Sequence, residues 1–193
     1  LTSADLDTYR SGTITVEAQT LTSGTVSGLS ADFAALNDAL NSDGFFWSRS
    51  FDLKQGDLAV GDDVHAHQVN ITADGGSLTI NGTIDASGTT NSAGLPGSIT
   101  LAAQNDLTLN GRLDAHGTVL QADSNGQPID SENRAKVDLT ATTGTLTLAS
   151  GAAINVSSLD PTPQGDVELN VTRTGETSGD ANIAAPVDSA GNH

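Results

Sequence analysis

The chain has 193 residues, with one Trp, one Tyr, four Phe and no Cys, and its 7 basic and 24 acidic residues give a formal net charge of −17. This composition excludes disulfide, thiol and Cys-ligated metal chemistry. It also sets nucleic acid and membrane insertion aside, since phosphate and anionic surfaces are bound through Lys and Arg and no run of eighteen apolar residues occurs. The start, LTSADLDTYR, lacks Met and resembles no signal peptide, so a fragment of a longer, processed protein is expected.

Only four of the acids are Glu and the rest are Asp, which assigns the acidity to turns and exposed strand faces rather than to helices. Val, Leu, Ile and Ala alternate with Thr, Ser, Asn, Asp and Gly, the pattern of short strands joined by turns. The first such unit, TITVEAQTLTSGTVSG (13–28), is a weak one carried by Ile14/Val16, Leu21 and Val26. SADFAALNDALNSDGFFWSRSF (30–51) interrupts it. Ser30 is the expected N-cap of a helix over about 31–42, Phe33, Leu36 and Leu40 share one face of it, and Gly44 is the stop. Five of the six aromatics (Phe33, Phe45, Phe46, Trp47 and Phe51) fall in this stretch.

FDLKQGDLAVGDDVHAHQ (51–68) then supplies three apolar pairs, Phe51/Leu53, Leu58/Val60 and Val64/Ala66. VNITADGGSLTINGTIDA (69–86) repeats the frame with Val69/Ile71, Leu78/Ile80 and Ile84/Ala86. ITLAAQNDLTLNGRLDA (99–115) follows with Ile99/Leu101, Leu107/Leu109 and Leu113/Ala115. VDLTATTGTLTLASGAAINV (137–156) gives Val137/Leu139, Leu146/Leu148 and Ile154/Val156. Val167, Leu169 and Val171 open a last unit, which ANIAAPV (181–187) is expected to finish.

Within a unit the connections are short, whereas between units they run from the single residue Gln68 to the long surface loop 116–136. Constant coils with insertions at one corner describe a solenoid. The predicted fold is therefore all-β: a right-handed parallel β-helix of about six three-strand coils, rising about 4.8 Å each. It forms a single domain over 1–193, with one helical and aromatic insertion at 30–50. A β-sandwich is the alternative, and it leaves the fixed order of the three segments unexplained.

Stacking converts sequence offsets into spatial columns. One column holds His65, Asp85, Asp114 and Asn155, and the next holds His67, Ser87, His116 and Ser157. His67 and His116 then lie about 9.6 Å apart, too far to share a metal ion. Asp85 and Asp114, one coil apart, approach the carboxylate spacing of retaining glycosidases, and mutual repulsion favours a raised pKa at one of them, an effect that exposure weakens. No Lys or Arg is assigned beside them, and small polar residues recur there, which favours turn-edge polarity. QADSNGQPIDSE (121–132) places Asp123, Asn125, Gly126 and Glu132 at the third, fifth, sixth and twelfth positions of a calcium loop, but Gln121 and Pro128 depart from the pattern. Thr79, Thr108 and Thr147 form one outward column, too narrow for an ice-binding face, and Ala59 ends it. The corresponding column on the first segment is Asp52, Asn70, Thr100, Asp138 and Glu168. Trp47, with Arg49 nearby, is the candidate ligand site, able to stack on a sugar ring, and the alternative is that both pack the insertion. No catalytic, cofactor-binding or metal residues are assigned.

The motifs GSLTINGTIDASG (76–88), NDLTLNGRLDAHG (105–117) and GTLTLASGAAINV (144–156) resemble the shaft of filamentous haemagglutinin-like exoproteins, the secreted partners of bacterial two-partner secretion systems. The likeness covers about two-thirds of the chain, and the Asn-Pro-Asn motifs of the family's secretion domain do not occur. The resemblance implies an interior or carboxy-terminal shaft segment of a secreted or surface-displayed adhesin. It also implies an outer-membrane transporter as partner during secretion, and surface or matrix glycans as ligands. A polysaccharide-degrading β-helix enzyme and a phage or other fibre segment are the alternatives.

Overall fold

A computed structural model describes residues 12–21, 28–88, 94–159 and 165–171, together with the backbone of 181–183 and 187–188. Strand β1 (Thr13–Ala18) is followed by helix α1 (Leu29–Asp43). Four groups of three strands come next: β2 (Ser48–Leu53), β3 (Leu58–Val60) and β4 (Val64–His65); β5 (Gln68–Ala73), β6 (Leu78–Ile80) and β7 (Thr83–Asp85); β8 (Ser98–Ala103), β9 (Leu107–Leu109) and β10 (Arg112–Asp114); and β11 (Lys136–Ala141), β12 (Leu146–Leu148) and β13 (Ala153–Asn155). A one-turn helix α2 (Asp130–Asn133) precedes β11. Strands β14 (Asp166–Val171), β15 (Ala181–Ile183) and β16 (Val187–Asp188) make a last group.

These strands form three sheets in which every neighbour is parallel. The long-strand sheet runs β1-β2-β5-β8-β11-β14, the second β3-β6-β9-β12-β15, and the third β4-β7-β10-β13-β16. From β2 onward each coil contributes one strand to each sheet, as in a parallel β-helix-like solenoid. Val26 of the first unit and residues 184–186 within ANIAAPV lie outside the described residues.

The period of two sends alternate side chains inward, and the parallel register stacks them in columns. In the second sheet Leu58, Leu78, Leu107 and Leu146 stand in one column and Val60, Ile80, Leu109 and Leu148 in another. In the third, Val64, Ile84, Leu113 and Ile154 are in register. All twelve are buried, and they join the inward residues of the long-strand sheet in one core. Burying each Val, Leu or Ile stabilises the fold by about 1.5–3 kcal/mol before conformational entropy is counted.

The first coil of this core departs from expectation by two residues. Phe51 pairs with Ile71 and Leu53 with Ala73, so the partner of Val69 is Arg49. The full inward column reads Ile14, Arg49, Val69, Ile99, Val137 and Val167. The outward column beside it accordingly begins with Thr15 and Ser50, and Asp52 belongs to the next one, opposite Thr72.

The Asn-Gly pair of the repeated motif makes the corner between the second and third sheets. Asn110 donates its side-chain amide to Asn81 Oδ1 at 2.8 Å, one coil apart. A side chain on Gly111 would run into the Gly82 carbonyl oxygen, so this position is glycine because of the close backbone approach.

Helix α1 stands where the first coil has no described strand above β3 and β4. It is longer than expected, and Ser30 is not its N-cap: that position is Gly28, with no side-chain capping bond. The Ser30 hydroxyl instead accepts a hydrogen bond from the Ala59 N–H of β3 at 2.8 Å. Asn37 and Asn41 both donate side-chain amides to the Asp63 carbonyl, at 2.9 and 3.0 Å. Three side chains of the helix thus satisfy backbone groups on the open edge of β3 and on the turn that joins it to β4, one of the ways proteins protect such edges. Gly44 ends the helix in the left-handed region, φ 80°, with its N–H on the Leu40 carbonyl, as the sequence suggests. Phe33 packs edge-on against Phe51, ring centroids 4.9 Å apart.

Candidate functional site

The outer face of the third sheet carries the column expected from the repeat. His65, Asp85, Asp114 and Asn155 are in register across four coils. Their identity has a local cause. Asp85 Oδ1 accepts the Ser87 N–H, Asp114 Oδ1 the His116 N–H and Asn155 Oδ1 the Ser157 N–H, each two residues on. Asp and Asn recur here because their side chains close the corner that follows each strand.

Charge concentrates at Asp114. Arg112 Nη2 lies 2.5 Å from Asp114 Oδ2, and His116 Nδ1 lies 2.5 Å from Oδ1. Burial alone would raise the Asp114 pKa. The hydrogen bonds from His116 and Arg112 overcome that and hold the carboxyl at about 2. His116 is pushed up in turn, chiefly by its bond to Asp114. At Asp85 burial again favours the neutral form, but hydrogen bonds from His65 and Ser87 outweigh it and the pKa is lowered. The expected rise from Asp85–Asp114 repulsion is therefore not found. Repulsion acts at Asp85, but the hydrogen bonds exceed it. Arg112, which reading the columns alone missed, was accessible from its spacing, since residues two apart on a strand share a face.

In the next column Gly88 N–H bonds to the His116 carbonyl and Gly117 N–H to that of Ser157. His67 runs instead with the long-strand sheet. Its N–H bonds to the Phe46 carbonyl and its own carbonyl accepts from Ser98 N–H. Its ring lies on the indole of Trp47, centroids 4.7 Å apart and 32° from parallel. His67 is 8% exposed and Trp47 37%. Burial pushes the His67 imidazole down, which keeps it neutral.

The structure separates Trp47 from Arg49. Arg49 is fully buried in the core column, with Nε donating to the Phe45 carbonyl and Nη1 to Asn37 Oδ1, both at 2.8 Å. Its guanidinium lies 5.8 Å from the Phe46 ring centroid, and Nη2 has no hydrogen-bond partner. Desolvation lowers its pKa to about 10. Arg49 anchors α1 to the solenoid from inside and presents nothing to a ligand, which corrects its assignment to the ligand site beside Trp47.

Loop 116–136 is tied by its own groups. Asp123 Oδ1 accepts the N–H groups of Asn125 and Gln127, both at 2.8 Å. Asn133, 1% exposed, accepts the Gln121 N–H and donates to the Gln121 and Ile129 carbonyls. One of two Asn in a polar loop, Asn133 gave no sign of this role in the sequence. Among the described residues no three His, Asp or Glu converge as a metal site. Thr79, Thr108 and Thr147 do form one column, single because β6, β9 and β12 each have one outward residue. No helix among the described residues is long and apolar enough to cross a membrane. Comparison with protein-family models, curated proteins and solved structures found no match.

Proposed function

We propose that this chain is a structural and adhesive shaft segment of a secreted or cell-surface bacterial protein, of the filamentous haemagglutinin-like kind that its repeats resemble. Export then requires an outer-membrane transporter, and the exposed faces meet host surfaces or matrix polysaccharide. The observation that carries this reading is the repetition itself. The same three strands stack in register coil after coil, while the chain between them varies most in the segments that precede the long strands, at 19–47, 86–97, 115–135 and 156–165. Such construction makes length and surface rather than a cavity.

A polysaccharide-degrading enzyme is the second reading, favoured by the adjacency of Asp85 and Asp114 and by the Asp114–His116 pair. It is the weaker one. A carboxyl held at about 2 by hydrogen bonds from His116 and Arg112 has no proton to give near neutral pH, and general acid catalysis needs one.

Location tests the proposal. Intact producing cells and their culture medium are probed with antibody to this segment. Labelling of unpermeabilised cells or recovery from the medium is expected. Signal found only after lysis overturns the reading.

A further inference from the structure

Three Asn-Gly pairs occur in the chain: Asn81–Gly82, Asn110–Gly111 and Asn125–Gly126. The pair has a chemistry of its own. The backbone nitrogen that follows an Asn can attack the side-chain amide carbon, and a glycine leaves that approach unhindered because it has no Cβ. The Asn side chains do not tell the three pairs apart, since all are exposed. The attacking nitrogens do: Gly82 and Gly111 are half-buried, whereas Gly126 is exposed.

Gly82 and Gly111 belong to the stacked corners. Gly82 N–H bonds to the Val60 carbonyl, and the Gly82 carbonyl accepts from Arg112 N–H. Gly111 N–H bonds to the Ile80 carbonyl, and its carbonyl accepts from Ala153 N–H. Each glycine is thus tied to the coil before it and the coil after it, and the Asn110 amide is fixed to Asn81 Oδ1. Freeing either nitrogen and turning an amide onto it requires neighbouring coils to part. Gly126 lies at the tip of a hairpin in loop 116–136, closed by an antiparallel bridge between Ala122 and Pro128. Its N–H bonds to the Asp123 carbonyl at 3.0 Å, and Asp123 N–H bonds to the Gln127 carbonyl at 2.8 Å. With the bonds from Asn125 and Gln127 N–H to Asp123 Oδ1, these contacts begin and end within 123–127. Residues 122–128 are all exposed, and a Cβ placed on Gly126 would meet nothing within 4 Å. Opening this turn disturbs no strand of the three sheets, and local openings of that kind cost far less than parting a core ladder.

We propose that Asn125 is a modification site, at which the folded chain deamidates itself through the nitrogen of Gly126. That nitrogen gives its proton to solvent hydroxide and bonds to Asn125 Cγ. The Cγ–Nδ2 bond breaks, ammonia leaves with a proton taken from water, and a succinimide ring joins the two residues. Water then opens the ring. Attack at Cγ gives Asp on the ordinary main chain, and attack at the Asn125 main-chain carbonyl carbon gives isoaspartate, whose main chain runs through Cγ. No oxidant or reductant takes part. Either product puts a carboxylate where the Asn125 side chain now hydrogen-bonds Asp123. Isoaspartate also lengthens the main chain inside the turn, so the N–H groups of residues 125, 126 and 127 lose their alignment on Asp123. The loop loosens irreversibly with age while the coils keep their register. The site stands independently of the adhesive reading.

Mass spectrometry tests it on the purified full chain. Samples are held in mildly alkaline buffer, folded or in urea, quenched in acid at intervals and digested with trypsin beside an unincubated control. Cleavage after Lys54, Arg112 and Arg134 puts Asn81 and Asn110 in the peptide 55–112 and Asn125 in the peptide 113–134. The exchange of NH2 for OH raises the peptide mass, and fragmentation places the change. Methylation of the isolated 113–134 peptide by protein isoaspartate methyltransferase distinguishes isoaspartate from Asp. In the folded chain Asn125 is expected to convert about tenfold or more faster than Asn81 and Asn110, and in urea the three should agree within about threefold. Asn125→Gln, which would have to close a larger ring, should leave the peptide 113–134 unchanged over the same period. Asn125 that stays unchanged in the folded chain, or converts no faster than Asn81 and Asn110, overturns the site. So does a ratio that persists in urea, because the fold is then not its cause.

Discussion

Arg49 occupies a place that five other coils give to Ile or Val. A buried guanidinium loses hydration, and two hydrogen bonds to neutral acceptors return only part of that loss. Arg49→Ala is expected to destabilise the fold by about 2–4 kcal/mol through lost packing and a freed Asn37 Oδ1. Arg49→Met, which keeps the volume beside Ile14 and Val69, should recover most of that in urea unfolding. The same residue explains a register that sequence patterning misreads. An apolar-pair search passes over a charged residue and settles on Phe51/Leu53, two positions late. The Asp114–His116 pair gives a second residue-scale prediction. Asp114 is lowered to about 2, so its contribution is present above the ordinary carboxylate pKa and is lost as pH falls from about 4 to 2. His116 is raised, so its contribution is complete below about 6.5 and is lost as pH rises through the raised value. Thermal stability from this pair should peak between about pH 4 and 6.5. His116→Gln should flatten the alkaline limb, and an unchanged pH profile in that variant would refute the coupling.

Helix α1 was legible as an element but not in its task. Its apolar spacing and Gly44 announce a helix with a defined end. Its main work is done by polar residues reaching β3 and the turn after it, 22 to 29 residues away in sequence. No local pattern encodes such contacts, and Ser30 looks like an N-cap because capping is what a Ser at a helix start usually does. Two substitutions separate packing from edge protection. Phe33→Ala removes the ring that seats the helix on Phe51 and should cost about 3–5 kcal/mol. It should also loosen α1 from β3 and β4, producing self-association visible by light scattering, because an uncovered edge templates another strand. Ser30→Ala should cost only about 1 kcal/mol and leave the protein monodisperse. Monodisperse Phe33→Ala with full loss of stability would show that the helix packs without guarding the edges.

At the scale of the whole molecule, the repeats at 69–86, 99–115 and 137–156 gave the in-register columns correctly, because there an apolar letter at every second position is also a core residue. The candidate ligand site was only half legible. Trp47 was visible as a lone Trp, but its support by His67 depends on a corner where the chain passes from the third sheet to the long-strand sheet in two residues, Ala66 and His67. Column arithmetic places His67 with Ser87 and His116, whereas its backbone bonds place it opposite Trp47. The parallel ladder has a mechanical consequence. Its hydrogen bonds point from coil to coil, along the axis, so tension on the column pulls them apart one rung at a time. The rungs are unequal: successive core positions Arg49, Val69, Ile99, Val137 and Val167 are 20, 30, 38 and 30 residues apart. At about 3.4 Å per extended residue, detachment of these coils would pay out about 70, 100, 130 and 100 Å. Single-molecule stretching should therefore give a sawtooth whose step lengths identify the coil released, and one indivisible rupture would contradict this. Under load the molecule would act as a graded tether, giving up length in measured portions while the remaining coils hold.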